Sequence, residues 1–520
     1  MRLSRDLFWF AAWVALPPGV IAQGALPDPQ FGNNGLAVVQ NYGSYNDIII
    51  KRMDEQVDGK IVMMGDHQIG SELTLFAQRF NANGTIDGGF ANGGRFLGPD
   101  SLAMVGVSSG HALPDGRLLL VCQYRNTTIT QLVLVMLDQN GALDATYGSG
   151  GVRRETIAPN TAIYRSIRAP DNSIYFTGMQ GAWPVVGHVL PDGSFDPEFG
   201  TNGRTLLNNA PFSCYARDMV FSESGYLVIV CPRLAFISHG WCMAAVDLQG
   251  ALVPWFGTNG FKTMDLIDND LVDEYSQHIA MRPDGSLITS GLWVHDGAGH
   301  NMYWAFHPDG SINEGFGNNG VTEVQMDNAG VLGEVVSLLP DGDILFSGAQ
   351  SSSNGLLCKT RVVRLNADGS FETDFGTNGI YYHYRPGAIF SQADRGGLLA
   401  NGRLAVVGEI SAPGPVTKNA IMVFNLQDIS TGTSEALNGS AAPSVHPNPT
   451  NGTVHLRDWD LGPSDELILF DAQGRRQARW SGALVNGSAL DLPGYLSSGA
   501  YTLVVNDPVD RKSARIQLER

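Results

Sequence analysis

A short aromatic-glycine string returns seven times along this chain at nearly constant spacing, which restricts the fold to one assembled from repeated units. In its fullest form it reads Phe375-Gly376-Thr377-Asn378-Gly379, with Asp368-Gly369 ahead of it. The aromatic positions are Phe31, Phe90, Tyr147, Phe199, Phe256, Phe316 and Phe375, separated by 59, 57, 52, 57, 60 and 59 residues. The Gly and Asn neighbours supply left-handed backbone that bulkier residues resist, and each buried ring contributes about 2–3 kcal/mol. The string is expected to anchor the crossover from one unit to the next.

A second pattern keeps step with it: Asp58-Gly59, Asp115-Gly116, Asp171-Asn172, Ser224-Gly225, Asp284-Gly285, Asp341-Gly342 and Asn401-Gly402. Four copies carry Pro directly before the Asp, and each leads into an aliphatic run. Such a turn between apolar runs signals a tight β-hairpin. A third apolar run and the run after Phe-Gly-x-Asn-Gly complete four short strands per unit, and helical periodicity is absent. Four antiparallel strands repeated seven times predict an all-β chain with a seven-bladed β-propeller over residues 23–427. The 63 glycines among 520 residues serve its turns, while 43% hydrophobic residues leave ample material for a core.

Residues 1–22 have the pattern of a secretory signal: Arg2 and Arg5, an apolar stretch at 7–16, then Val20-Ile21-Ala22 before Gln23. That stretch is short for a membrane span, and no other run approaches the ~18 apolar residues of a transmembrane helix. The net charge of −18 disfavours nucleic-acid binding, and no basic patch stands out along the sequence. Five cysteines lack metal-ligand spacing. Cys231 and Cys242 flank a short loop between two strands, where they either bridge in an oxidising compartment or stay, like the others, as small buried hydrophobes.

The string Asp-x-x-Phe-Gly-x-Asn-Gly, followed by Pro-Asp-Gly and an aliphatic run, resembles the delta-60 repeat of bacterial secreted and surface proteins. The acidic position is held by Asp28, Asp87, Asp144 and Asp196, weakened to Asn313 and Glu372, and replaced by Val253. After a Ser-, Thr- and Gly-rich linker at 428–443, residues 444–520 alternate apolar residues and turns as a small β-sandwich does. Their Pro447-Asn448-Pro449 start, the turn ending Gly474-Arg475 and the final Gly499-x-Tyr501 strand are similar to the type A sorting domain of type IX secretion. That resemblance implies recognition by the secretion machinery and an extracellular or outer-membrane surface location.

Candidate chemistry is sparse. Gly106-x-Ser108-x-Gly110, followed by His111, matches a nucleophile elbow in letters, but it stands in a predicted strand rather than a strand-to-helix turn. His295, Asp296 and His300 fall in a Gly-rich loop without a companion ligand pair. Asn366, Asp368 and Ser370 suggest structural calcium, yet the twelve-residue loop with its Glu is missing. The acidic pairs Asp268 and Asp270, and Asp273 and Glu274, lack a known separation. No catalytic, cofactor or metal residue is therefore assigned. Trp241 and Trp304 are expected in the core, whereas Trp183, Trp255 and Trp293 are open to a platform role. The longer loops at 294–301, 349–356 and 409–418 are the variable surface to search for partners.

These features imply a secreted or cell-surface non-catalytic binding or scaffold protein with an unidentified extracellular ligand. A secreted hydrolase or lyase with its site in the channel, and a purely structural surface component, are the competing classes. Carboxylates or histidines gathered at a channel mouth would point to the enzyme, and an uncharged aromatic rim to binding.

Overall fold

The computed structural model describes residues 26–426 apart from 40–47, 70–71, 127, 223, 235–239, 265–272, 296–297, 326–330, 352–357, 384–390 and 412–416. In the C-terminal part it describes 444–446, 450, 452–457, 466–471, 476–481, 489–493, 496–505 and 513–518. The expected signal, the linker, Pro447, Asn448, Pro449 and Gly474 lie outside these residues. The chain divides into two compact units, residues 1–429 and 430–520. No helix among the described residues is long and apolar enough to cross a membrane.

Six antiparallel sheets of the first unit take their four strands consecutively from the chain, beginning at Ile48–Glu55, Val105–Ala112, Thr161–Arg168, Asp218–Ser222, Asp273–Met281 and Val331–Leu338. The seventh begins at Ser391–Leu398 and runs through Leu404–Ser411 to Thr417–Asn425. Its outer edge is supplied by Leu36–Val38 and Leu26–Pro27 from the start of the chain. The first strand of each sheet packs against the first strand of the next, and Ser391–Leu398 meets Ile48–Glu55. First strands in such a closed circuit surround an axis. The fold is a seven-bladed propeller.

We number the blades 1–7 from Ile48–Glu55. The closing contact is polar as well as apolar: Val423 donates to the Gly35 carbonyl, and Arg403 Nη1 pairs with Asp28 Oδ2 at 2.6 Å. The first sequence unit therefore completes the last blade.

This register corrects the expected place of the Phe-Gly string in the chain. It precedes the outermost strand of a blade and is not the crossover itself; the crossover from blade 1 to blade 2 follows Arg95–Leu97. Its junction with the next blade is made through space. The Gly32, Gly200, Gly257 and Gly317 amides donate to Asn83, Gln249, Asp309 and Asp368 carbonyls one blade on, at 2.7–2.8 Å. A Cβ on Gly141 would lie 2.7 Å from the Phe90 ring, so the receiving turn needs glycine. All seven aromatics are buried, from 0% to 6% exposed. Asn34, Asn202, Asn259, Asn319 and Asn378 have φ of 50–53°, as the turn demands.

The acidic position before the Phe has a structural role. Asp87 pairs with Arg79 at 2.8 Å, Asp144 with Arg117 at 3.1 Å and Asp196 with His188 at 2.8 Å. The Asp-Gly hairpins are capped by their own side chains, as when Asp115 Oδ1 accepts from Arg117 N and Asp284 Oδ1 from Ser286 N.

The second unit holds a three-stranded sheet (Ser444–His446, Thr453–Arg457, Ala489–Asp491) and a four-stranded one ordered Arg476–Ser481, Glu466–Asp471, Gly499–Val505, Ser513–Leu518. One hydrophobic cluster draws on both, including Val454, Leu467, Leu490, Tyr501 and Ile516. The Tyr501 hydroxyl donates to the Ser497 carbonyl at 2.8 Å, and Gly499 begins the strand that carries it.

Candidate binding site at one mouth of the central channel

Antiparallel order gives the propeller two unlike faces. One carries the Asp-Gly hairpins and the Phe-Gly turns. The other carries the crossovers between blades and the loops joining second to third strands, where the 294–301, 349–356 and 409–418 segments fall. His295 ends one strand and Ala298 begins the next, so His300 is a strand residue rather than a loop residue. Its Nδ1 pairs with Glu323.

On the loop face the innermost strands are irregular. Register shifts occur between Ile50 and Arg52, Val107 and Ser109, Ile163 and Arg165, and Ser276 and His278, with longer ones in blades 6 and 7. A bulge re-aims the side chain it frees. Polar pins from the preceding blade hold these bends: Asp66 Oδ1 accepts from Val107 N at 2.7 Å, and Gln123 Nε2 donates to Thr161 O. Asn419 Nδ2 likewise donates to Ile48 O at 2.6 Å.

Lys51, Ser108 and Tyr164, the residues skipped at the bends of blades 1–3, share a cavity of about 490 Å³ with Arg165, Arg217 of blade 4 and His278 of blade 5, among others. With Arg125 and Asp66, the lining holds four cations against one carboxylate. Burial raises the Asp66 carboxyl to about 6, against the Val107 amide and Lys51, which hold it down. Burial would also raise Asp218, but Arg165, His278 and the Met219 amide keep it at about 2. Arg165 Nε stands 3.1 Å from its Oδ1, and His278 Nδ1 stands 3.1 Å from its Oδ2. Deeper on the axis, burial together with Arg52, Arg168 and Arg165 lowers His111 well below the usual range. Its Nε2 lies 2.7 Å from Ser166 Oγ, so it is not engaged with Ser108.

Blade 6 uses the same level of the fold differently. Glu334, buried between blades, takes Arg361 at 2.6 and 2.9 Å, the Tyr303 hydroxyl at 2.5 Å and Asn301 Nδ2 at 2.9 Å.

The motifs singled out in the sequence resolve mainly into scaffold. Gly106 to Gly110 lie within the innermost strand Val105–Ala112, with no strand-to-helix turn for a nucleophile. Asp368 caps Ser370 through both its N–H and its hydroxyl, and Asn366 reaches Ser370 Oγ, so this trio closes a turn. Trp241 and Trp304 are buried side by side, with centroids 5.2 Å apart. Trp183 is half-buried and Trp255 is 56% exposed, edge-on to Tyr226. Trp293 lies in the strand Leu287–His295. Asp273 and Glu274 open the innermost strand of blade 5, and Asp268 and Asp270 lie outside the described residues. The cationic mouth was not singled out from sequence, because its residues are a repeat apart. Overlaying the units in register and seeking polar residues on the innermost strand would have found it.

The fold also gathers three cysteines. Cys231 and Cys242 oppose each other across adjacent strands of blade 4, and Cys214 reaches them from the crossover before it. Their sulfurs lie within 4.8 Å of one another, all buried.

A family model described as a domain of unknown function (DUF5122) beta-propeller matches residues 56–90 and 339–375. Each matched segment runs from an Asp-Gly hairpin to a Phe-Gly anchor. No curated protein matches the chain. Among solved structures it is similar to Drosophila Semaphorin 2a, at 10% identity over 96% of this chain and 99% of that one, with a TM-score of 0.47. It is also similar to the polysaccharide lyase Uly1, at 11% identity over 62% and 90%, TM-score 0.35. A PL25 ulvan lyase gives 9% identity over 78% and 90%, TM-score 0.32.

Proposed function

We propose that this chain is an exported, non-catalytic binding protein whose propeller holds an acidic polymer at the loop-side mouth of its channel. The observation that carries this reading is the reversal of charge, four cations against one carboxylate in one cavity of a chain with net charge −18. An anion is repelled by most of such a surface and drawn to this opening, which gives both steering and selectivity. The mouth is neither a set of carboxylates and histidines nor an aromatic rim, and its cations favour carboxylate- or sulfate-bearing chains.

Calorimetric titration of the full chain with polygalacturonate, dextran sulfate and neutral dextran tests the proposal. Salt-sensitive binding to either acidic polymer and none to dextran are expected. Binding of neutral dextran with equal strength would exclude it.

Asp66 held at about 6, with Tyr164 and His278 in the same cavity, favours a second reading as a lyase or hydrolase. Prolonged incubation with the two acidic polymers would then yield new chain ends, and Asp66→Asn would abolish them.

For the C-terminal unit we propose the sorting role, with the type IX secretion machinery as partner. Its support is the order of the Pro-Asn-Pro, Gly-Arg and Gly-x-Tyr signatures. Removal of residues 444–520 is expected to trap the protein in the periplasm, and unimpaired export of the truncated chain would rule the role out.

A further inference from the structure

We infer that Cys214, Cys231 and Cys242 form a buried three-sulfur site for one soft, low-coordinate metal ion, Cu(I) in character. The inference is independent of the channel mouth and rests on blade 4 alone.

Three separate segments deliver the sulfurs. Cys231 is the next-to-last residue of the second strand, Tyr226–Pro232, and Cys242 the second residue of the third, Trp241–Asp247. Cys214 belongs to the stretch between Arg204–Leu206 and Asp218–Ser222, and it bridges Arg233 through backbone pairing. All three residues are 0% exposed. In the repeat, Cys231 stands where blades 1 and 3 have Gly65 and Gly178, which face the bulged strand at Ile50 and Ile163. Blade 4 departs from its siblings at this point: its innermost strand is shortened to Asp218–Ser222, and the preceding segment turns a thiol towards the cluster.

A trigonal ion about 2.3 Å from each sulfur needs sulfurs about 4 Å apart, within the observed separation. The surroundings are apolar: Leu207, Ala216, Met219, Ile229 and Ala244 belong to the same cluster. Zinc would require a fourth ligand, and among the described residues no further His, Cys, Asp or Glu joins this group. Soft thiolates with low coordination select Cu(I). Coordination releases the protons of the thiols that ionise and changes the oxidation state of neither sulfur nor metal.

A disulfide is the main competitor. The Val230 and Pro232 carbonyls accept from Arg217 and Tyr215, so the polar groups of Cys231 turn to the opposite side, towards Cys242. Such a pair has Cα atoms about 5.5 Å apart, which a disulfide can span. A Cys231–Cys242 bridge, however, gives no role to the third sulfur converging on both.

The test loads the full chain with Cu(I) under reducing, anaerobic conditions and challenges it with bathocuproine disulfonate. One equivalent of copper should remain, with X-ray absorption showing sulfur-only ligation and three Cu–S bonds. Cys214→Ser, Cys231→Ser and Cys242→Ser should each weaken retention at least tenfold, while Cys122→Ser, buried elsewhere, leaves it intact. Circular dichroism separates loss of the site from loss of the fold. Loss of all copper from the wild-type chain would overturn the inference. So would an intact mass two hydrogens short, or retention undiminished in a folded Cys214→Ser variant.

Discussion

The two faces of the propeller are made from the same seven units, yet they are held to different standards. On the hairpin face, Asp caps its own turn and Phe-Gly docks on the next blade in unit after unit, with an acidic partner for Arg or His at four copies. On the loop face, the corresponding positions read Lys51, Ser108, Tyr164, Arg217 and Gln277. Repetition marks the places where the chain must meet its neighbour, and variation marks the places free to meet something else. Both the cationic mouth and the cysteine cluster lie on the varied side.

Ring closure is where the contrast breaks most severely. Deleting residues 26–38 removes the edge of blade 7 together with the Arg403–Asp28 pair, and cooperative thermal unfolding should be lost. A single sharp transition at the wild-type temperature would mean that the ring does not depend on this strand.

Blade 6 offers a sharper comparison, since Glu334 occupies the varied level but serves cohesion. Arg361→Met leaves its carboxylate buried and unpaired, a loss of about 3–5 kcal/mol in urea unfolding. Polymer binding at low denaturant should be unchanged, because Glu334 and Arg361 do not line the cavity. Equal losses of binding and stability would erase the distinction between the two uses.

Asp66 joins both roles, pinning blade 2 while facing the cavity. Its raised value of about 6 means that the folded chain holds a proton which the unfolded chain releases near pH 4. That contribution to stability is complete below pH 4 and lost as the pH rises through 6. Asp66→Asn should therefore exceed the wild type by about 2–3 kcal/mol at pH 7.5 and match it near pH 4, judged by guanidinium unfolding. A gap independent of pH would place the Asp66 proton elsewhere.

The smallest effect concerns the one Phe-Gly turn that lacks its glycine. Ala91 takes φ 45° there, and its amide donates to Asn140 like its glycine counterparts. Ala91→Gly should stabilise the chain by about 1 kcal/mol.

The hairpin face was legible in the sequence because its turns depend on local backbone: positive φ requires Gly or Asn wherever it recurs. Ring closure and the one-strand offset between sequence unit and blade were not, since both depend on which edge Leu36–Val38 pairs with across the whole unit. Lys51, Arg165 and Arg217 carried no local signal, because only the axis brings three separate repeats together. Cys231 and Cys242 were visible as a facing pair, whereas Cys214 was hidden in a crossover where blade 4 abandons the pattern.

The most direct test places one double variant on each face. Calorimetry with polygalacturonate should show Lys51→Ala/Arg217→Ala binding at least tenfold more weakly than the wild type. Lys60→Ala/Arg117→Ala, which removes equal charge from the hairpin side, should bind within twofold. If the two variants lose affinity equally, binding follows net charge alone, and the loop-side mouth is not the site.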